Sequence, residues 1–194
     1  MPKERLTAFS DGVIAIIITI MVLELKVPHG ADWAALSSLA PVFASYVLSF
    51  IYIGIYWNNH HHLLHTCTRV NGVILWANLH LLFWLSLIPF ATGWLGENHF
   101  TALPTALYGV SLLMPAIAYV LLQRAIIAQQ GEESPLQRAL GGDIKGKISP
   151  VLYLTAIGLS FVTPWVAQAI YALVALMWLV PDRRIERAIR QEAG

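Results

Sequence analysis

Four histidines, His60, His61, His62 and His65, crowd into one short stretch of the chain. On a helix His61 and His65 stand one turn apart, at i and i+4, the spacing with which two imidazoles share a metal ion. Similar tracts form the histidine boxes of membrane di-iron oxygenases, but those need several boxes on separate helices. Here His29, His80 and His99 stand alone. No metal and no other cofactor is therefore expected, and the cluster reads as hydrogen-bonded histidines near a membrane surface. The lone cysteine, Cys67, has no partner for an internal disulfide and reads as a small apolar residue.

A second concentration of polar residues lies in the first apolar segment, Arg5-Leu6-Thr7-Ala8-Phe9-Ser10-Asp11-Gly12 and onward to Thr19 and Glu24. Ionisable groups inside a membrane are costly unless they face a partner or a water path, so function is sought here first. At 100° per residue, Ile16, Ile20, Leu23 and Val27 fall within about 60° of one another, and Asp11 lies about 140° from Ile16. The carboxylate and the apolar stripe therefore face different surroundings. A stripe of this kind ordinarily serves as lipid contact or core packing, and spacing by itself does not promote it to the wall of a pore.

The elements that must hold these residues follow from composition. Of 194 residues, 57% are hydrophobic and 12% charged, against about 25% charged in a soluble domain. Six spans of about 20 residues would use about 120 of them. Apolar stretches at 7–27, 38–60, 72–94, 102–123, 148–163 and 165–181 supply those spans, giving an all-α polytopic membrane protein with a basic tail over 182–194. The first run leads to Pro28-His29-Gly30 instead of a small-residue cleavage site, so it reads as a retained helix. Only Thr163-Pro164 parts the last two spans, a tight hairpin; if it is re-entrant, five spans remain. With net charge +1, the chain lacks the basic surface of a nucleic-acid binder, and no such partner is expected.

Basic residues set the orientation. With six spans, Lys3, Arg5, Arg69, Arg124, Arg138, Lys145, Lys147, Arg183, Arg184, Arg187 and Arg190 share the side of the amino terminus, and Lys26 stands alone opposite. Both termini are expected in the cytoplasm.

Arg5-x-x-x-Phe9-Ser10-Asp11 resembles the RxxxFSD signature of the transmembrane protein 175 family of potassium channels, in its prokaryotic branch with six helices per chain. Tyr56-Trp57-Asn58-Asn59-His60-His61-His62 is similar to that family's aromatic-Trp-x-x-His-His pattern. Leu75-Trp76-Ala77-Asn78-Leu79 and Ser86-Leu87-Ile88-Pro89-Phe90-Ala91-Thr92 resemble its Asn-containing third helix and Pro-Phe ending. The resemblance covers roughly residues 5–95 by motif and the remainder by helix count. It implies a potassium-preferring channel, not an enzyme, in the plasma membrane, working in the lipid bilayer on potassium ions. It further implies a homotetramer with the first helix of each copy around a central pore.

In that arrangement Ile16 would form the narrowest ring, followed outward by Ile20 and Leu23, a constriction that acts through dehydration and dewetting. The Thr19 hydroxyl either replaces part of an ion's hydration or bonds back to its own helix. Glu24 either raises cation concentration at the outer mouth or pairs with Lys26. The chain contains no TVGYG segment from which to build a carbonyl filter, and no ladder of arginines for voltage sensing. Arg5, Phe9, Ser10 and Asp11 are then structural, with Trp57, His61, His62 and Asn78, and also His60, as candidate partners for the Asp11 carboxylate. The rival readings are a proton-coupled or metal-binding transporter and a membrane metalloenzyme.

Overall fold

The structure is a computed structural model and describes residues 2–131, 136–137 and 144–179. Among these residues all regular structure is helical. The order is α1 (Lys3–Ile20), a 3₁₀ turn (Met21–Glu24), α2 (Trp33–Ser37), α3 (Ala40–Thr66), α4 (Gly72–Ser86), α5 (Ile88–Glu97), α6 (Ala102–Gln130), α7 (Ile144–Leu159) and α8 (Pro164–Leu179).

Local chemistry sets the boundaries. Asp32 and Asn71 cap α2 and α4, their side chains accepting from Ala35 N and Ile74 N at 2.8 and 2.9 Å. Pro41 opens α3 within its first turn, where the missing N–H has no helical partner to lose. Pro89 breaks the third span at Leu87, because a proline ring clashes with the carbonyl four residues back. Between α5 and α6 the chain turns on two left-handed residues, His99 (φ 48°) and Phe100 (φ 58°). Phe100 N donates to Leu95 O at 3.1 Å there, and its ring meets Trp165 at 5.3 Å.

Among the described residues, four spans are long and apolar enough to cross a bilayer: Lys3–Glu24, Ala40–Thr66, Gly72–Glu97 and Ala102–Gln130. The first ends earlier than the expected 27, and the second and fourth run past 60 and 123, which brings the histidine cluster inside α3. The expected third span is two helices in line. Helices α7 and α8, 16 residues each, rise about 24 Å and pair along their full length. At their open end Lys145 Nζ donates to Met177 O at 3.0 Å, and Trp178 Nε1 donates to Ser149 Oγ at 2.8 Å. The expected tail over 182–194 lies outside the described residues.

In lipid, helices associate through close packing and internal hydrogen bonds. One core joins Leu6, Ile14 and Ile17 of α1 to Ile74, Leu81 and Leu85 of α4 and Leu122 of α6. A second joins Tyr52, Tyr108, Tyr153 and Tyr171 across α3, α6, α7 and α8. Helices α3 and α5 meet through small residues: Ser45 Oγ donates to Thr92 O at 3.2 Å, and Ser49 Oγ lies 2.6 Å from Thr92 Oγ1 and 2.9 Å from Tyr108 Oη. A Cβ on Gly96 would stand 2.6 Å from Val42 Cα. Gly96→Ala is therefore expected to force α3 and α5 apart at a cost of about 1–3 kcal/mol. Thermal unfolding in detergent against wild type measures it.

Candidate functional site

Helix α1 has two opposite faces. Leu6, Ser10, Ile14 and Ile17, continued by Met21 of the 3₁₀ turn, are buried against α3, α4 and α5. On the other side Arg5, Phe9, Gly12, Ile16, Thr19 and Leu23 form an exposed row that repeats every three or four residues. Ile16 is 61% exposed, Ile20 41%, Leu23 75% and Val27 84%. Gly12 has open space where a side chain would begin. Ile18 points elsewhere and packs partly against the first core.

The buried face is held by a chain of polar bonds. Ser10 Oγ donates to Leu6 O at 2.8 Å and accepts from Asn78 Nδ2 at 2.9 Å. Asn78 Oδ1 lies 2.7 Å from His60 Nε2. The amide oxygen can only accept, so His60 carries its proton on Nε2. Its Nδ1 is buried without a partner. All three side chains are fully buried.

Asp11 stands outside that chain. Trp57 Nε1 donates to its Oδ1 at 3.1 Å at an exposed position. Of the donors expected for this carboxylate, Trp57 alone has a hydrogen bond to it among the described residues; Asn78 serves Ser10 instead, and His60 serves Asn78. His61 stacks against Trp57, with ring centroids 6.3 Å apart, and against His62 and His65 at 5.7 and 5.8 Å. His60, the member that enters the core, had a signal in the sequence. It continues the face of Ser45, Ser49 and Tyr52, whereas His61 and His62 are turned about 100° and 200° from it. Among the described residues no three His, Cys, Asp or Glu side chains converge as a metal site requires.

Toward the C-terminal end of α1 the Thr19 hydroxyl lies 2.9 Å from Ala15 O and 3.0 Å from Ile16 O. Its proton is satisfied within α1, while the residue stays on the exposed row. The Glu24 carboxylate presses against Gly93 of α5, which turns it off the row. Lys26 pairs with Glu97, not Glu24. That hydrogen bond and charge hold the Lys26 pKa above its ordinary value, with a smaller contribution from Glu24.

Comparison with known proteins matches residues 5–89 to the family described as endosomal/lysosomal potassium channel TMEM175. A potassium channel of Chryseobacterium sp. (strain P1-3) is 57% identical over 98% of this chain and 100% of its own length. A potassium channel of Streptomyces collinus is 32% identical over 90% of each chain. The crystal structure of a lysosomal potassium-selective channel TMEM175 homolog from Chamaesiphon minutus superposes with a TM-score of 0.81 at 28% identity. It covers 93% of this chain and 97% of that one.

Two expectations follow. Asn78→Ala strands the buried His60 Nε2–H and removes the donor to Ser10, so it should lower stability by about 1–3 kcal/mol. Asp11→Asn weakens only an exposed bond and should cost less, a ranking that thermal unfolding of the two purified variants tests. The Lys26–Glu97 pair contributes while Lys26 is charged. Because folding raises that pKa, the contribution is complete below the ordinary lysine value of 10.5 and fades as pH climbs through the folded value. Melting curves of wild type and Lys26→Met should differ at neutral pH and converge in strong alkali.

Proposed function

The chain belongs to the TMEM175 family of potassium channels, and from that premise we propose that it conducts potassium through a homotetrameric pore lined by the exposed row of α1. It is a multi-pass membrane protein and an ion channel, not an enzyme. The observation that supports the pore reading is the separation of faces on α1. One side is locked into the protomer by Leu6, Ser10, Ile14 and Ile17, and the other leaves Ile16, Ile20 and Leu23 bare. A single helix cannot enclose a path for ions, so the bare side needs copies of itself.

Four Ile16 side chains around an axis make a ring too apolar to replace an ion's water. Ile20 and Leu23 add further rings toward the outside. Permeation is then governed by how much hydration an ion must lose at the ring, which favours potassium over the more strongly hydrated sodium. Thr19 bonds back to its own helix and keeps an oxygen on the same row, where it accepts an ion in place of water. Glu24, drawn toward α5, sets a negative potential at the rim. Of the signature residues, Ser10 fixes the rotation of α1 through Asn78 and Asp11 steadies it through Trp57, whereas Arg5 and Phe9, expected to be structural, stand on the exposed row. The positive-inside distribution supports an orientation with both termini in the cytoplasm, and the family resemblance supports a location in the plasma membrane.

Flux from potassium-loaded liposomes tests this, with mass measured in a detergent that preserves activity. Ile16→Asn puts four amides at the ring and should raise conductance while lowering potassium preference over sodium. Ile18→Asn, on the packed side, should reduce folded yield without widening the path. An Ile16 variant with unchanged flux and ion ratio overturns the hydrophobic constriction, and an active monomer overturns the assembly.

A further inference from the structure

The groove between the second half of α6 and the first two turns of α7 takes no part in the pore face or its anchoring network. It has a volume of about 690 Å³. Toward the middle of the bundle it is walled by Ile117, Val120, Leu121 and Pro150, and at its other end stand two cations, Arg124 and Lys147. Helix α6 ends and α7 begins at the end of the bundle that carries Lys3 and Arg69, so both cations lie within about two turns of that end. Both side chains are exposed, and neither pairs with a carboxylate among the described residues. Lys145, beside them, is already used in closing α8 at Met177 O.

A cation pair at the mouth of a largely apolar groove, whose lining also holds Gln123 and Gln137, matches one chemistry at the level where a span meets the headgroups. A soluble anion would satisfy Arg124 and Lys147 but leave the apolar wall uncovered. A zwitterionic lipid would bring its own cation against them. We propose that this groove binds an anionic phospholipid, with its phosphate on Arg124 and Lys147 and an acyl chain along Ile117, Val120 and Leu121. Bound there, the lipid bridges α6 to α7 and so ties the α7–α8 hairpin to the rest of the bundle.

The test uses the full-length protein exposed to equimolar phosphatidylglycerol and phosphatidylcholine with identical chains. Bound lipids are counted by native mass spectrometry. A basic residue near the membrane surface is worth about 5-fold in affinity for an anionic lipid, so wild type should favour phosphatidylglycerol by about 20-fold. In the double variant R124Q/K147Q the two lipids should bind nearly equally. Each single variant should lose about 5-fold, which keeps the test available if the double variant does not fold. Glycerol 3-phosphate, which carries the charge without the chains, should not displace the lipid at equal concentration. Equal binding of the two lipids by wild type, an undiminished preference in the variants, or displacement by glycerol 3-phosphate would each overturn the assignment.

Discussion

A hydroxyl, an amide and an imidazole in line inside the bundle fix the rotation of the first transmembrane helix. A polar group surrounded by hydrocarbon has no water to fall back on and must find its partner within the protein. Ser10 on α1, Asn78 on α4 and His60 on α3 satisfy one another, and the bonds form only when three helices present those residues to a common point. Turning α1 by one residue would withdraw Ser10 from Asn78 and carry Asp11 toward the interior. The orientation that satisfies the buried groups leaves Ile16, Thr19 and Leu23 on the opposite side. The exposed row is therefore a consequence of what is buried.

Helix α3 extends the same logic through the protomer. From one face it reaches four other helices: Ser45 to α5, Ser49 to Tyr108 of α6, Tyr52 Oη to Tyr171 O of α8 at 2.6 Å, and His60 to Asn78 of α4. These interhelical bonds are individually modest, but they are directional, and apolar packing in lipid is not. They explain how a chain so rich in interchangeable leucine and isoleucine settles on one arrangement. Small residues make the bonds possible, because Ser45, Ser49, Thr92 and Gly96 let two backbones approach closely enough for a hydroxyl to span them.

Much of this was legible in the sequence. Apolar runs gave the spans, and a 3.6-residue repeat separated the Ile16 stripe from Asp11. What was missed has identifiable physical causes. Hydropathy does not register the break at Leu87, because Pro89 acts through backbone geometry and leaves the run apolar. The histidine cluster drew attention as a block, whereas the helix turns only His60 inward. Asp11 was expected to gather several donors, but its lateral position brings it Trp57, and the amide of Asn78 bridges the Ser10 hydroxyl to the His60 imidazole instead. The Lys26–Glu97 pair joins residues 71 positions apart, a distance at which neither periodicity nor local charge pattern speaks.

Exposure of apolar residues on a membrane protein is ordinary, since lipid welcomes them, so the bare face of α1 must be weighed against the other bare faces. Those of α3, α4 and α5 differ in kind, while the bare rows of α6 (Leu103, Val110, Ile117, Leu121) and α7 (Ile144, Ile148, Val151, Leu154) are aliphatic like that of α1. The outer row of α3 carries Phe43, Phe50 and Trp57, and that of α4 and α5 carries Trp76, Phe83 and Phe90. Beyond Phe9 the row on α1 holds no ring; it offers Gly12, Ile16, Thr19, Ile20 and Leu23. Bulky aromatic side chains suit contact with acyl chains and headgroups but would collide if four copies converged on one axis. Short aliphatic side chains, a hydroxyl and a glycine would allow that convergence and, in the proposed tetramer, leave a narrow lumen between them. Under the proposed assembly, the side chains along α1 suit the close approach of its own copies, what separates α1 from the aliphatic rows of α6 and α7 is the polar anchor at Ser10 on its reverse face, and the same narrowness makes the ring at Ile16 a barrier of dehydration.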